Sequence, residues 1–337
     1  MTDLKFALIV CTYMRPRPLV DLLDSVVLQS VYPNQIVVVD GSVDHQTQAI
    51  IHQKNILNLD YFLIDEQNRG LTRQRNFGIS KLQAGIQVVF FLDDDIVLND
   101  NYFQKILQTY LQFPDVMGVG GYIVNESEWV EVNENYRAKR SEFVFDGWKT
   151  KDGIRFVARK ILGLDSNEPP GYQSSFSHGR SIGFLPPSGK TYKVEQLMGG
   201  VSSFKKSVFD SHQFSEYFEG YGLYEDADFT IRVSKTGQLY LNTAATLNHY
   251  HATDGRPNQY QYGKMVVRNG WYVWRIKNPN PKLVDRFKWN AITVLLIMIR
   301  FSNIFTTDSK KFKSAFSEST GRLVAYLTLF FYKPKRL

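Results

Sequence analysis

The chain has 337 residues and 39.0 kDa, more than one minimal domain and fewer than three. Hydrophobic residues make up 43% and charged residues 22%, which suits a packed core and excludes wholesale disorder. Cys11 is the single cysteine, so an intrachain disulfide framework and a cysteine-rich zinc site are both excluded. The start, MTDLKFALIV, reads neither as a secretory signal nor as a membrane span, so a reducing, cytoplasmic setting is expected. The net charge of +7 is unevenly placed: residues 256–337 hold 16 Lys/Arg against three acids, Asp285, Asp308 and Glu318. An acidic body with a basic tail that meets an anionic surface follows.

Residues 1–120 alternate between two patterns. FALIVCT (Phe6 to Thr12) is an apolar run of strand length, and Leu19, Leu22, Leu23, Val26 and Val27 follow at helical spacing behind Pro16 and Pro18. IVVVDGS (Ile36 to Ser42) and YFLID (Tyr61 to Asp65) read as the second and third strands. TRQRNFGISKLQAG predicts a helix capped by Thr72 and stopped near Gly85, and VVFFL (Val88 to Leu92) is a fourth strand. Tyr102, Ile106 and Tyr110 mark the next helix. Strands apolar on both faces and alternating with helices imply a parallel sheet covered on each side. In such sheets ligands lie beyond the carboxyl ends of the strands, where Thr12, Asp40, Asp65 and Asp93-Asp94-Asp95 fall. Residues 125–195, rich in Tyr, Trp, Arg, Gly and Pro, break the rhythm and read as an irregular insertion over that crevice.

Four groups carry chemistry. Asp93, Asp94 and Asp95 are three adjacent like charges, a repulsion that a divalent cation such as Mg²⁺ or Mn²⁺ relieves through oxygen ligands. In YEDADFTIRVSKTG, Glu225 and Asp226 fall at a helix start, where acids favour the helix dipole and an ionised Asp226 can accept a proton. His249 and His251, two apart in LNHYHATDGR, can place an imidazole beside the acids. Arg69, Arg73 and Arg75 in NRGLTRQRN gather at a helix start, an arrangement that suits phosphate.

These pieces, VCTYMRP, VVVDGSVD, NRGLTRQRNFGI, FLDDDIV, MGGVSSFKKSVF, YEDADFTIR and His249 through Arg256, run in order from about residue 5 to 256 and resemble family 2 glycosyltransferases. The resemblance implies an inverting enzyme of the GT-A fold, an open, mostly parallel twisted sheet flanked by helices with a Rossmann-like nucleotide-binding half. It implies a division into residues 1–255, with a donor half 1–121 and an acceptor half 122–255, and a basic, amphipathic helical extension, 256–337. By the same resemblance Thr12, Asp40, Arg69, Arg73, Asn76, Asp93, Asp94, Gly199 and Gly200 serve the nucleotide-sugar. Asp93 and Asp95 match the DXD pair that holds the cation, Asp226 matches the catalytic base, and Glu225 holds sugar or acceptor hydroxyls. His249 lines up better than His251 with the family's metal-reaching histidine, and the choice between them stays open.

The reaction so implied moves a sugar from a nucleoside diphosphate to a saccharide or lipid-linked acceptor, in cell-surface polysaccharide or glycolipid assembly. A sugar nucleotidyltransferase is the rival enzyme, although TYMRPRP lacks its glycine-rich phosphate loop. A non-catalytic nucleotide-sugar-binding protein at a membrane surface is the other rival. Within 282–337, cationic clusters alternate with aliphatic and aromatic residues, and the longest apolar stretch is too short to span a bilayer. That pattern predicts peripheral attachment to an anionic inner membrane face, and no nucleic-acid motif is present.

Overall fold

The structure is a computed structural model that describes residues 4–218, 220–251, 257–305 and 309–334, without the side chains of residues 309 and 310. In chain order the elements begin with β1 (Phe6–Thr12), α1 (Pro16–Val27), β2 (Gln35–Asp40), α2 (Gln46–Lys54), β3 (Leu59–Leu63) and α3 (Leu71–Ser80). Next come β4 (Val88–Asp93), β5 (Ile96–Leu98), α4 (Tyr102–Gln112), β6 (Val116–Ile123), β7 (Val130–Glu131), β8 (Glu142–Phe145), β9 (Trp148–Lys151) and α5 (Ile154–Ile161). The last group is β10 (Thr191–Val194), β11 (Val201–Lys205), α6 (Glu225–Ser234), β12 (Gln238–His249), α7 (Gln259–Lys277), α8 (Leu283–Ser302) and α9 (Ser309–Phe331).

These elements form two compact units. The first joins residues 1–127 with 182–255, and the second joins 128–181 with 256–337. One break falls between residues 255 and 256, and residues 128–181, the middle of the irregular segment, group with the C-terminal helices.

In the first unit a large sheet runs in the order β10-β12-β6-β11-β4-β1-β2-β3, with β5 paired to β12. The strands β3-β2-β1-β4 are all parallel, and β1, β2 and β4 are buried along almost their whole length because helices cover both faces. Beyond β4 the sheet is mixed, since β11 enters antiparallel between β4 and β6. That reversal brings the start of β11 to the carboxyl end of β4, where the Asp93 N–H donates to Gly200 O at 3.0 Å. Pairing of β12 with β5 likewise sets His249 opposite Ile96, one residue past the acid run.

Helix α3 lies close against the sheet because Gly78 has no side chain there; a Cβ would meet Ile9 at 2.7 Å and Val39 at 3.4 Å. It starts at Leu71 behind Gly70 and ends at Ser80, without the Thr72 cap expected from sequence. The Thr72 hydroxyl instead donates to Phe218 O, tying the helix to a distant loop. Phe6, Phe90 and Phe103, all buried, pack with ring centroids 5.0–5.2 Å apart at the centre of the core.

In the second unit β7, β9 and β8 form a small antiparallel sheet. Arg180 grips Asp152 with both terminal nitrogens at 2.6 and 3.2 Å and lies over the Phe143 and Phe156 rings. Helices α7 and α9 meet backbone to backbone at two glycines: a Cβ on Gly263 would strike Glu318 O, and one on Gly321 would strike Tyr260 O. Trp274 stacks on Trp289 at 5.3 Å, joining α7 to α8.

Gly121 of β6 faces the buried ring of Tyr102, which leaves no room for a methyl group. Gly121→Ala is expected to destabilise the protein by about 1–3 kcal/mol through overpacking. Urea unfolding would measure this, and an unchanged midpoint would refute it.

Candidate active site

The three carboxylates that follow β4 diverge to different partners. Asp94 turns back into the sheet edge, accepting from the Thr12 hydroxyl at 2.6 Å and from Arg15 Nη1 at 3.1 Å. Its burial pushes the carboxyl up to about 7, against the pull of Arg15 and Thr12. Asp95 accepts from the same Arg15 nitrogen at 3.5 Å and lies 3.1 Å from His249 Nε2. Asp93 faces Arg75 at 3.5 Å.

Arg75 is the hub of this edge. It projects from α3 with its side chain only 3% exposed, pairs with Glu225 and Asp93, and sits 5.2 Å from the centre of the Phe214 ring. Glu225 opens α6 and is buried, which pushes its carboxyl up to about 8 even though Arg75 pulls the other way. Glu225 Oε2 makes no hydrogen bond among the described residues.

Gly199 and Gly200 form a seam between these groups. A Cβ on Gly199 would meet Glu225 Oε1 at 2.5 Å and Arg75 Nη1 at 2.6 Å, and one on Gly200 would run into the Asp93 carboxylate. Their lack of side chains is what admits the acids to this edge. The Gly199 N–H also donates to Asp226 Oδ2 at 3.1 Å, and the Ala227 N–H donates to Asp226 Oδ1 at 2.7 Å. Asp226 is partly exposed, unlike Glu225. One run of contacts therefore links Asp226, the glycine seam, Glu225, Arg75 and Asp93.

His249 closes the other end of the acid run. Its Nε2 faces Asp95 and its Nδ1 faces Glu126 Oε1 at 2.8 Å, while His251 Nε2 lies 3.0 Å from the same Glu126 oxygen. Burial works against the charged imidazole, but the bonds to Asp95 and Glu126 outweigh it and raise His249 to about 10. Glu126, His249 and His251 hold their ligand atoms within 4.8 Å of one another, a spacing that a metal ion could bridge.

The other expected residues fall in different places. Asp40 is fully buried, with Oδ1 on the Ser42 N–H at 2.7 Å and Oδ2 on the Tyr61 hydroxyl. Arg69 donates Nε to Gly41 O at 2.7 Å beside Tyr13. Arg73 points outward to Glu216 and Gln67 O, and Asn76 spends its amide on both backbone groups of Phe214. Neither joins the acids, because Arg75 and Gly78 occupy the inward face of α3. Asp65 caps a short turn through the Asn68 N–H. Gly255 and Arg256 of the last motif, and Glu219 between the acid groups, lie outside the described residues.

Two participants, Arg15 and Glu126, escaped the sequence reading of the site, and Arg75 stood in it only among the arginines suited to phosphate. Arg75 was discernible, since it lies three residues before the sheet-facing Gly78 and so on the same helix face. Arg15 stood in the TYMRPRP turn. Glu126 had no local signal, because only the parallel β6–β12 register carries it alongside His249.

Residues 7–166 match the sequence model described as Glycosyl transferase family 2. Over 132 residues the chain is 30% identical to the glucosyl-dolichyl phosphate glucuronosyltransferase of Haloferax volcanii, covering 38% of this chain and 40% of that protein. Over 118 residues it is 27% identical to the O-antigen chain rhamnosyltransferase RfbN of Salmonella typhimurium, covering 35% and 37%. The matched stretches thus span well under half of these curated relatives. Among solved structures, S. aureus TarS is similar at 14% identity and a TM-score of 0.48, over 91% of this chain and 46% of that one. Residues 7–166, just under half of the chain, are thus similar to glycosyltransferase family 2.

Proposed function

We propose that the chain transfers a sugar from a nucleoside-diphosphate sugar to a hydroxyl acceptor, with inversion at the anomeric carbon and Asp226 as the general base. The observation that carries this reading is the glycine seam, where Asp226 and the acid run are in contact with consecutive residues, Gly199 and Gly200. The match of residues 7–166 to the family 2 model, the similarity to glycosyltransferases and the site's chemistry support it.

Asp226 suits the role of base. Two backbone N–H groups fix its orientation, and its partial exposure leaves it accessible to an incoming hydroxyl. Glu225, buried and anchored on Arg75, is assigned to a sugar or acceptor hydroxyl instead. Arg75, beside Asp93, supplies fixed positive charge near the leaving diphosphate. Thr12, Arg69 and Asp40 line the strand ends that serve the nucleotide half, in line with donor binding at that edge.

Asp95 and His249 converge with donor atoms 3.1 Å apart, and an oxygen with an imidazole nitrogen suits Mn²⁺ or Mg²⁺. We assign them as the residues that hold a divalent cation, with Asp93 next to them in the chain. Bound there, the cation would offset charge on the departing diphosphate.

The second unit supports a membrane-surface partner. Among the described residues no helix is long and apolar enough to cross a membrane. Yet α8 exposes Leu283, Phe287, Val294, Met298 and Phe301 along one face, opposite the buried Trp289 and Ile292. α9 repeats the spacing with Phe312, Phe316, Leu323, Leu327 and Phe330. Exposed Lys282, Arg286, Lys311, Lys313 and Lys333 accompany these stripes. Apolar stripes beside cations fit the headgroup region of an anionic bilayer. A lipid-linked saccharide acceptor and a place in surface polysaccharide or glycolipid assembly are consistent with that location.

Asp226→Asn should lower turnover by about 10²–10⁴-fold while leaving donor affinity within a few-fold of wild type, as measured by product formation and calorimetry. Near-normal turnover would remove Asp226 from the role of base. Ligation through His249 Nε2 requires loss of a proton that this group otherwise keeps up to about pH 10, so Mn²⁺ uptake should release a proton at pH 7.5 and strengthen as pH rises. Calorimetry in buffers of different ionisation enthalpy measures that release, and none being found, or activity that survives EDTA, would refute the cation. The double variant Phe287→Glu and Met298→Glu should lose co-sedimentation with phosphatidylglycerol vesicles at low salt; equal binding would discard the membrane surface.

A further inference from the structure

The imidazole of His249 has two nitrogens, and its surroundings give each a different carboxylate. Nε2 faces Asp95 Oδ1 at 3.1 Å, and Nδ1 faces Glu126 Oε1 at 2.8 Å. The residue before Glu126 holds the backbone of the same histidine. Asn125 donates Nδ2 to His249 O at 2.9 Å and accepts from the His249 N–H at 3.0 Å. Two adjacent residues beyond β6 thus fix both the main chain and the ring of one residue on β12. The Tyr250 N–H adds a bond to Asp95 O at 3.0 Å, so the acid and the imidazole share one rigid corner.

We propose that Glu126 is a positioning residue that accepts the Nδ1 proton of His249 and so leaves Nε2 as the nitrogen offered to the cation beside Asp95. A ligating imidazole commonly donates its second N–H to a carboxylate, which fixes the ring and raises its basicity. His251 shares Glu126 Oε1 at 3.0 Å and braces that carboxylate from its more exposed side. This inference rests on the cation reading above and assigns the two histidines different tasks: His249 ligates, and His251 supports. It stands against direct ligation by Glu126, His249 and His251 together, an arrangement that would turn His249 to the ion through Nδ1.

Mn²⁺ alone, titrated into the full chain and followed by electron paramagnetic resonance of the free ion, separates these arrangements. Glu126→Ala should weaken Mn²⁺ binding by about 10–100-fold, while Glu126→Gln, which keeps an oxygen to accept the Nδ1 proton, should recover much of that loss. His251→Ala should stay within a few-fold of wild type. Wild-type affinity in Glu126→Ala, or a loss in His251→Ala as large as in Glu126→Ala, would overturn the positioning role while leaving the cation site in place. Failure of the wild-type chain to take up Mn²⁺ would overturn the cation reading, and this inference with it.

Discussion

A single buried guanidinium makes the acidic edge of this sheet possible. Asp93, Glu225 and Asp226 crowd one corner, and burying the Glu225 carboxylate without a partner would cost several kcal/mol. Arg75 enters that corner from below, on a helix drawn to the sheet by Gly78, and pairs with Asp93 and Glu225 at once. Two more glycines, in the turn just before β11, leave room for both pairs. The arrangement is asymmetric, with Glu225 buried and Asp226 partly exposed.

A second pairing works at the other end of the run. Arg15 takes Asp94 and Asp95, while Thr12 ties Asp94 to the first strand. Three consecutive aspartates therefore have three different environments. What looks like a uniform acidic patch in the sequence is one carboxylate directed to the sheet, one to the seam and one to a histidine.

Much of the first half was legible in the residues. Continuous apolar runs such as FALIVCT and VVFFL coincide with β1 and with most of β4, because strands covered on both faces have no polar side to confuse the pattern. The acids at the strand end and at the start of α6 were legible for the same reason, since they sit where periodicity stops. The antiparallel entry of β11 was not legible, because strand direction is set by pairing across distant segments rather than by composition. Glu126 was hidden likewise, its partner lying on a strand more than a hundred residues away. Arg73 and Arg75 lie in one basic motif, and only the helix face occupied by Gly78 distinguishes inward from outward.

The close approach of α7 and α9 has a bearing on how the basic tail can be treated. With Gly263 and Gly321 seated against each other's helix backbone, the last helix is a wall of the second unit, not a trailing appendage. Shortening the protein just after α7 would strip the cover from that helix as well as remove the lysines, so poor behaviour of a truncated chain would say little about lipids. Residues 128–181 are gathered with these same helices, so the unit that holds the basic tail also includes an earlier stretch of the chain.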